Sequence, residues 1–245
     1  MSADFNSLKM ENNETKSEMV RDMFNNIAPT YDRLNHILSL DIDRLWRRRV
    51  VRIVRRKGAK RILDMATGTG DLAIALARKI AGSSIFAADF SSEMLAIAQQ
   101  KIERQGLDER ITLEECDAEH ITLPDESVDA ATVAFGVRNF ENQKEALIEM
   151  KRTIKVGGHL VVLEFSNPKC ALVRYFYRLY SHHILPAIGR MVSRHNNAYT
   201  YLPESIDGFA SPEEFIALLH EVGFAKVERR SQSFGIAQIY IATKE

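Results

Sequence analysis

Apolar positions along the chain change their period twice. From Lys16 they recur at three- and four-residue steps, at Met19, Met23, Phe24 and Ile27, which predicts a helix. Pro29 is expected to break it. The next stretch, "YDRLNHILSL" (31–40), is expected to be a second short helix or a loop with one helical turn. In "DRLWRRRVVRIVRRK", Leu45, Trp46, Val50, Ile53 and Val54 mark the apolar side of a further helix, which Gly58 stops. After that, short apolar runs alternate with amphipathic stretches. Strands are predicted at 61–65, 84–89, 110–115, 128–134 and 159–165, and helices at 71–80, 92–105 and 142–154. Alternation of this kind implies a parallel sheet with helices on both faces. The last run, "FAKVERRSQSFGIAQIYIATKE", holds two apolar-patterned segments joined around Ser233–Gly235, with no helix between them. It predicts an antiparallel pair at the sheet edge.

Residues 1–15 lack such a pattern and are expected to be disordered, or to order only on binding. No repeat or low-complexity linker divides the remainder. Residues 16–245 are therefore expected to form one domain: a helical cap (16–58) and an α/β core (60–245) that carries a lid insertion at 168–205.

Composition narrows the function. Lys+Arg and Asp+Glu both number 33, and a neutral chain argues against nucleic-acid binding. The two cysteines, Cys116 and Cys170, have no metal-ligand spacing and imply a reducing compartment. The N-terminal stretch has no apolar segment of the secretory type. No apolar run reaches the roughly 18 residues of a membrane span. The expected location is cytoplasmic, and contact with the inner face of the membrane stays open.

The chemistry starts at "ILDMATGTGDLAI" (62–74). "GTGDLA" fits a dinucleotide-type glycine fingerprint between a strand and a helix, and Asp89 follows about 20 residues on. Both NAD enzymes and S-adenosyl-L-methionine methyltransferases place glycines there and use such an acid on a ribose diol. Three features favour S-adenosylmethionine. Asp64, directly before the loop, repels a pyrophosphate but suits a cationic amino-acid end. Asp117, in "CDAEHITLPDESVD", closes the third strand where an adenine amino group can donate to it. The C-terminal antiparallel pair replaces the parallel units of an NAD domain. Asp64 and Asp89 have a plainer alternative as helix caps. Three acids at the ends of successive strands nevertheless lie where ligands bind in a doubly wound sheet.

A more specific resemblance covers the chain from about Met19 onward. "MFNNIAPTYDRLNHILSL…LWRR", "FGVRNF", "VGGHLVVLEFSNP" and "AYTYLPESI" together resemble the ubiquinone/menaquinone biosynthesis C-methyltransferase family. The resemblance implies a class I Rossmann-like fold: a mostly parallel seven-stranded sheet, an antiparallel C-terminal edge pair and an N-terminal helical cap. It also implies S-adenosylmethionine as methyl donor and a prenylated quinol as acceptor. The family's donor contacts carry over to Thr69, between Gly68 and Gly70, and to Asp89, Asp117 and Ala118. Some members place a serine before "FG"; this chain has Ala134, so a contact there is made by backbone alone. Ala66 stands at the first glycine of the wider loop pattern, and so is expected at a φ that alanine tolerates.

A ring carbon becomes nucleophilic when a neighbouring hydroxyl, of pKa about 10, loses its proton. The site must stabilise that oxyanion and offer a proton route. Arg138 of "FGVRN" is the expected source of positive charge, with a water beside it carrying the proton, and Asn139 is expected to orient the ring or that water. Tyr31 and Asp32 are expected to close over the acceptor from the cap. Loop capping is the plainer role for Arg138, and ending a turn the plainer role for Asn139. Glu164 could take the proton or bind backbone N–H groups, the structural role being the expected one, and His159 is expected to be structural. His182 and His183 have no metal partner at sensible spacing, and His36 and His195 receive no role.

A prenylated acceptor requires a route to the bilayer. The aromatic-rich "CALVRYFYRLYSHHILPAIGRMV" (170–192) is the expected lid, and residues 44–57, with eight Lys or Arg, could attract anionic headgroups. A solvated helix face is the plainer reading of the basic run. Two other functions stay open at this point. One is an NAD-dependent oxidoreductase; the other is a noncatalytic donor-binding subunit of a quinone-synthesis assembly. Nothing in the pattern speaks to oligomeric state.

Overall fold

The computed structural model describes residues 15–39, 41–171, 174, 175, 179 and 197–245, without the side chains at 30, 33–39 and 197–200. The expected disorder of 1–14 and most of the expected lid, with His182, His183 and His195, lie outside the described residues.

Seven strands form one sheet in the order β3-β2-β1-β4-β5-β7-β6. The strands are β1 (Arg61–Met65), β2 (Ser84–Asp89), β3 (Ile111–Glu115), β4 (Val128–Ala134), β5 (Ile154–Phe165), β6 (Lys226–Gln232) and β7 (Ala237–Thr243). The first five are parallel, and β7 pairs antiparallel with both β5 and β6. The strand order reverses between β1 and β4, which opens a crevice beyond their carboxyl ends.

Alternate residues of each strand feed two helical layers. Ile62 and Ile239 join one core with α2 (Ile42–Arg56), α3 (Asp71–Lys79) and α4 (Ser92–Glu103). Leu63, Met65 and Tyr240 join the other with α5 (Gln143–Thr153) and α7 (Pro212–Glu221). Both sheet faces are covered, so parallel strands stay buried. The helix α6 (Asn197–Asp207) precedes α7. Ser211 and Glu214 close a capping box at the start of α7, a signal present in "SPEEF".

Two element expectations need correction. The first helix, α1 (Lys16–Ser39), runs on through Pro29 and absorbs "YDRLNHILS". Pro29 is exposed while its neighbours Ile27 and Ala28 are buried against Met94. Packing of the inner face thus outweighs the roughly 3 kcal/mol that proline costs a helix interior. The strand expected at 159–165 starts instead at Ile154. Val128 pairs with Ile154 and Ala130 with His159, so residues 155–158 bulge between them. A Cβ on Gly158 would lie 2.7 Å from the Asp129 carbonyl oxygen, so that bulge requires glycine.

Candidate functional site

The loop after β1 holds its glycines in the left-handed region, Gly68 at φ 57° and Gly70 at φ 81°. Ala66 shares it at φ 53°, contrary to the expectation of an ordinary alanine backbone. That conformation costs a non-glycine residue about 1–2 kcal/mol. Ala66 meets the β4 loop, where a Cβ on Gly136 would fall 2.5 Å from the Ala66 Cβ. Three of the loop's N–H groups are engaged inside the protein. Thr67 donates to the Ala88 carbonyl, Gly68 to Asp89 Oδ2 at 2.8 Å and Gly70 to the Thr67 carbonyl. A pyrophosphate cradle needs those donors turned outward.

Asp64 sits at the buried end of β1. Its two oxygens accept from Thr132 Oγ1 at 2.6 Å and Thr67 Oγ1 at 2.7 Å. Burial pushes its pKa up to about 6 against the opposing pull of those hydroxyls. Asp89 accepts from Gly68 N and from Ser91 N at 3.0 Å, and burial raises it to about 6 as well. A third, backbone donor also acts on each, Ala73 on Asp64 and Phe90 on Asp89, which leaves about one of a carboxylate's four acceptor positions for a ligand. Asp117 is exposed, just past β3, and binds the Glu119 amide at 3.0 Å. Ala118 beside it is buried.

Two adjoining hollows lie at these strand ends. The larger encloses about 660 Å³, open solvent at its mouth included, and is lined by Asp89, Asp117, Ala118, Phe135 and Asn139 on the core side. Phe24 and Tyr31 of α1 close it from the cap side. The smaller, about 340 Å³, holds Asp64, Thr69, Asp71 and Arg47. Tyr31, Ala66, Gly68 and Ala134 line both. An apolar trough with acids at its polar ends fits a nucleoside joined to a cationic amino acid.

The cap is fastened over this space at three loops. Asp32 accepts from Thr69 Oγ1 at 2.5 Å and pairs with Lys101 at 2.8 Å, while Lys101 also pairs with Asp71. Asn25 accepts from Ser91 Oγ at 2.6 Å. Lys16 reaches the carbonyls of Arg138 and Phe140. Asp32 therefore anchors the cap to the glycine loop and lines neither hollow, contrary to its expected place over the acceptor. This role was invisible in sequence because Lys101 lies far along the chain on α4.

Arg138 also departs from expectation. Its Nη1 donates to Glu164 Oε1 at 2.8 Å and to the Phe135 carbonyl, and its Nε to Ser205 Oγ at 3.2 Å. The guanidinium lies 5.5 Å from the Phe165 ring centroid, and the residue lines neither hollow. Glu164 is fully buried and accepts the Arg138 and Phe165 amides too. Its negative charge pairs with the arginine that was expected to supply positive charge to the acceptor. Asn139, by contrast, lines the larger hollow and accepts from Tyr201 Oη at 2.9 Å. His159 faces Thr243 at 3.1 Å, away from these loops.

The model of the ubiE/COQ5 methyltransferase family matches residues 9–244. The chain is 41% identical over 233 residues to a demethylmenaquinone methyltransferase of Bacteroides fragilis, covering 95% of each. It is 45% identical to a ubiquinone/menaquinone biosynthesis C-methyltransferase of Geobacter sulfurreducens, covering 94% of this chain and 90% of the other. Among solved structures, an S-adenosylmethionine-dependent methyltransferase from Aquifex aeolicus superposes with a TM-score of 0.58 at 20% identity, over 79% of this chain and 88% of that one. At that identity the likeness speaks for the fold.

Proposed function

The chain belongs to the ubiE/COQ5 methyltransferase family, and on that premise we propose that it methylates a ring carbon of a prenylated quinol with S-adenosylmethionine as donor. Demethylmenaquinol is the proposed acceptor, and 2-methoxy-6-polyprenyl-benzoquinol is the second candidate. The observation that carries the donor assignment is the loop after β1. The amides of Thr67, Gly68 and Gly70 are taken by acceptors within the protein, and Asp64, a carboxylate that would repel a pyrophosphate, borders the adjoining hollow. The NAD reading rested on the glycine spacing and Asp89, and neither the loop nor the comparisons support it. No observation favours a noncatalytic subunit.

Asp89 would accept from the ribose hydroxyls, Asp117 with the Ala118 backbone would meet the adenine edge, and Asp64 would meet the ammonium. Gly68, Gly70 and Ala134 would let backbone come close to the ligand. S-adenosylmethionine, when bound, supplies an electrophilic methyl group on a sulfonium sulfur. The protein's task is then alignment, which can contribute ~7–11 kcal/mol in favourable cases. Asn139, held by Tyr201, would bind a ring hydroxyl or the water that takes its proton. Arg138 would act through Asn139, by fixing the turn at 137–139 against Glu164 and Ser205. Tyr31 would cover the acceptor.

We further propose that the bilayer is met by one face of the cap. Ile42, Leu45 and Phe234 expose apolar side chains there, Phe234 at 84%. Trp46 Nε1 donates to Ser233 Oγ and Arg49 pairs with Gln232, so the tip of the β6–β7 hairpin lies against α2. Arg44, Arg48 and Arg52 follow along α2. Apolar tips flanked by arginines suit an anionic headgroup surface. Among the described residues no helix is long and apolar enough to cross a membrane.

Calorimetric titration tests the donor assignment. S-adenosylmethionine is expected to bind and NAD not to bind. Asp89→Ala is expected to weaken donor affinity on the order of 10- to 100-fold, the worth of a charged hydrogen bond. Binding of NAD in preference, or an Asp89→Ala protein of unchanged affinity, would contradict the assignment.

A further inference from the structure

The smaller hollow carries a charge pair that the glycine motif does not account for. Asp64 and Arg47 both line it, beside Thr69 and Tyr31. Arg47 comes from α2, a helix that contributes no part of the loop, and its side chain is only 13% exposed. Its Nη1 is held by Asp43 one turn earlier, and its guanidinium lies 5.3 Å from the centroid of the Phe135 ring. A guanidinium carries five N–H donors in a fixed fork. Among the described residues, only Nη1 has a hydrogen-bond acceptor. Its charge also reaches Asp64, where it favours the ionised carboxylate. Asp43 and Phe135 thus hold one corner and one face of the fork, and the residue lines the hollow.

The hollow's other carboxylate, Asp71, is met by Lys101, and the remaining pair of a fixed cation and a fixed anion is complementary to an α-amino-acid zwitterion. An isolated Asp64 would accept any amine. Asp64 with Arg47 asks for an amine and a carboxylate on the same carbon. We infer that Arg47 is the carboxylate-binding residue of the methyl-donor site, opposite Asp64 as the ammonium acceptor. The inference rests on the reading of these hollows as the S-adenosylmethionine site. It also gives the cap a second part in donor binding, because α2 supplies a ligand-binding charge where α1 supplies the cover. Arginine suits the place better than lysine, since a planar fork engages a carboxylate bidentately.

The test compares two ligands on the full-length protein by calorimetry. Decarboxylated S-adenosylmethionine keeps the nucleoside, the sulfonium and the amine, and lacks only the carboxylate. Wild type is expected to prefer intact S-adenosylmethionine on the order of 10- to 100-fold. Arg47→Met should lose that preference by binding the intact donor more weakly, with affinity for the decarboxylated ligand unchanged. Arg47→Lys should retain part of the preference. Equal affinity of wild type for both ligands would overturn the inference. So would an Arg47→Met protein weakened equally toward both, which would mean that Arg47 only braces Asp43 and Phe135. If Arg47→Met does not fold, the wild-type comparison and Arg47→Lys decide. Wild type that binds neither ligand would overturn the donor site itself, a separate and recognisable failure.

Discussion

Asp64 and Asp89 combine burial with a proposed role in donor binding that requires charge. Burial holds both near a pKa of about 6 in the folded chain, above the ordinary aspartate value of about 4. For an acid raised in this way, the stabilising contribution is complete below about pH 4 and is lost as pH rises through about 6. Asp64→Asn removes the buried charge, and the Thr67 and Thr132 hydroxyls can reorient toward an amide. The variant is therefore expected to melt higher than wild type at pH 7.5, by a margin that fades toward pH 4, while binding the donor at least roughly tenfold more weakly. Melting curves across that range check the sign; a variant less stable than wild type at pH 7.5 would contradict it. Arg138 makes the opposite case. Arg138→Ala strands the fully buried Glu164, which is expected to cost about 3–5 kcal/mol in urea melts. Adding Glu164→Gln should restore part of it. A fully stable Arg138→Ala protein would remove the positioning role.

These residues also show what was legible at this scale. The acids at strand ends could be found because an apolar run that stops on Asp is a local pattern. Where the Arg138 side chain points could not be found, since its partner lies at the end of another strand. The same holds for Asp32, whose partner Lys101 becomes a neighbour only after α4 packs under the cap. Arg47 was read as one arginine in a basic run, and only the fold separates it from Arg44 or Arg48.

Among the elements, α1 departs most from its pattern. Its apolar spacing marked a helix, but local propensity placed an end at Pro29 where packing on α4 continues the helix. Strand positions came out nearly in register because buried parallel strands read as short continuous apolar runs. The Gly157–Gly158 bulge hid the start of β5. Three side-chain anchors tie α1 to the loops after β1, β2 and β4, and with the donor placed as proposed its entry passes this cover. Asp32→Ala removes the anchor at the glycine loop. It is expected to speed donor dissociation several-fold and raise amide exchange in residues 16–32, with a small change in melting temperature. Hydrogen exchange and stopped-flow release would measure both, and unchanged exchange would show that the cap is held without Asp32.

At the scale of the whole molecule, a net charge of zero conceals a strongly basic α2 beside the exposed Phe234. If this face meets the bilayer, Phe234→Asp should weaken binding to anionic phosphatidylglycerol vesicles at least roughly fivefold, by loss of a buried aromatic and like-sign repulsion. Turnover on a short-chain, water-soluble quinol should not change. Equal vesicle binding by variant and wild type would move the contact elsewhere. The parallel sheet and its antiparallel edge were legible from alternation, and the seven-stranded class from the family resemblance, whereas the strand order and the way the cap lies on the sheet were not, because they depend on contacts distant in sequence.

Methyl transfer itself is the claim on which the rest depends. Purified protein would be given isotope-labelled S-adenosylmethionine with, separately, reduced demethylmenaquinone and the methoxy-benzoquinol precursor, and the products read by mass spectrometry. The account predicts that the naphthoquinol gains a single labelled methyl bonded to a ring carbon. Donor binding with no methyl gained by either quinol would contradict it.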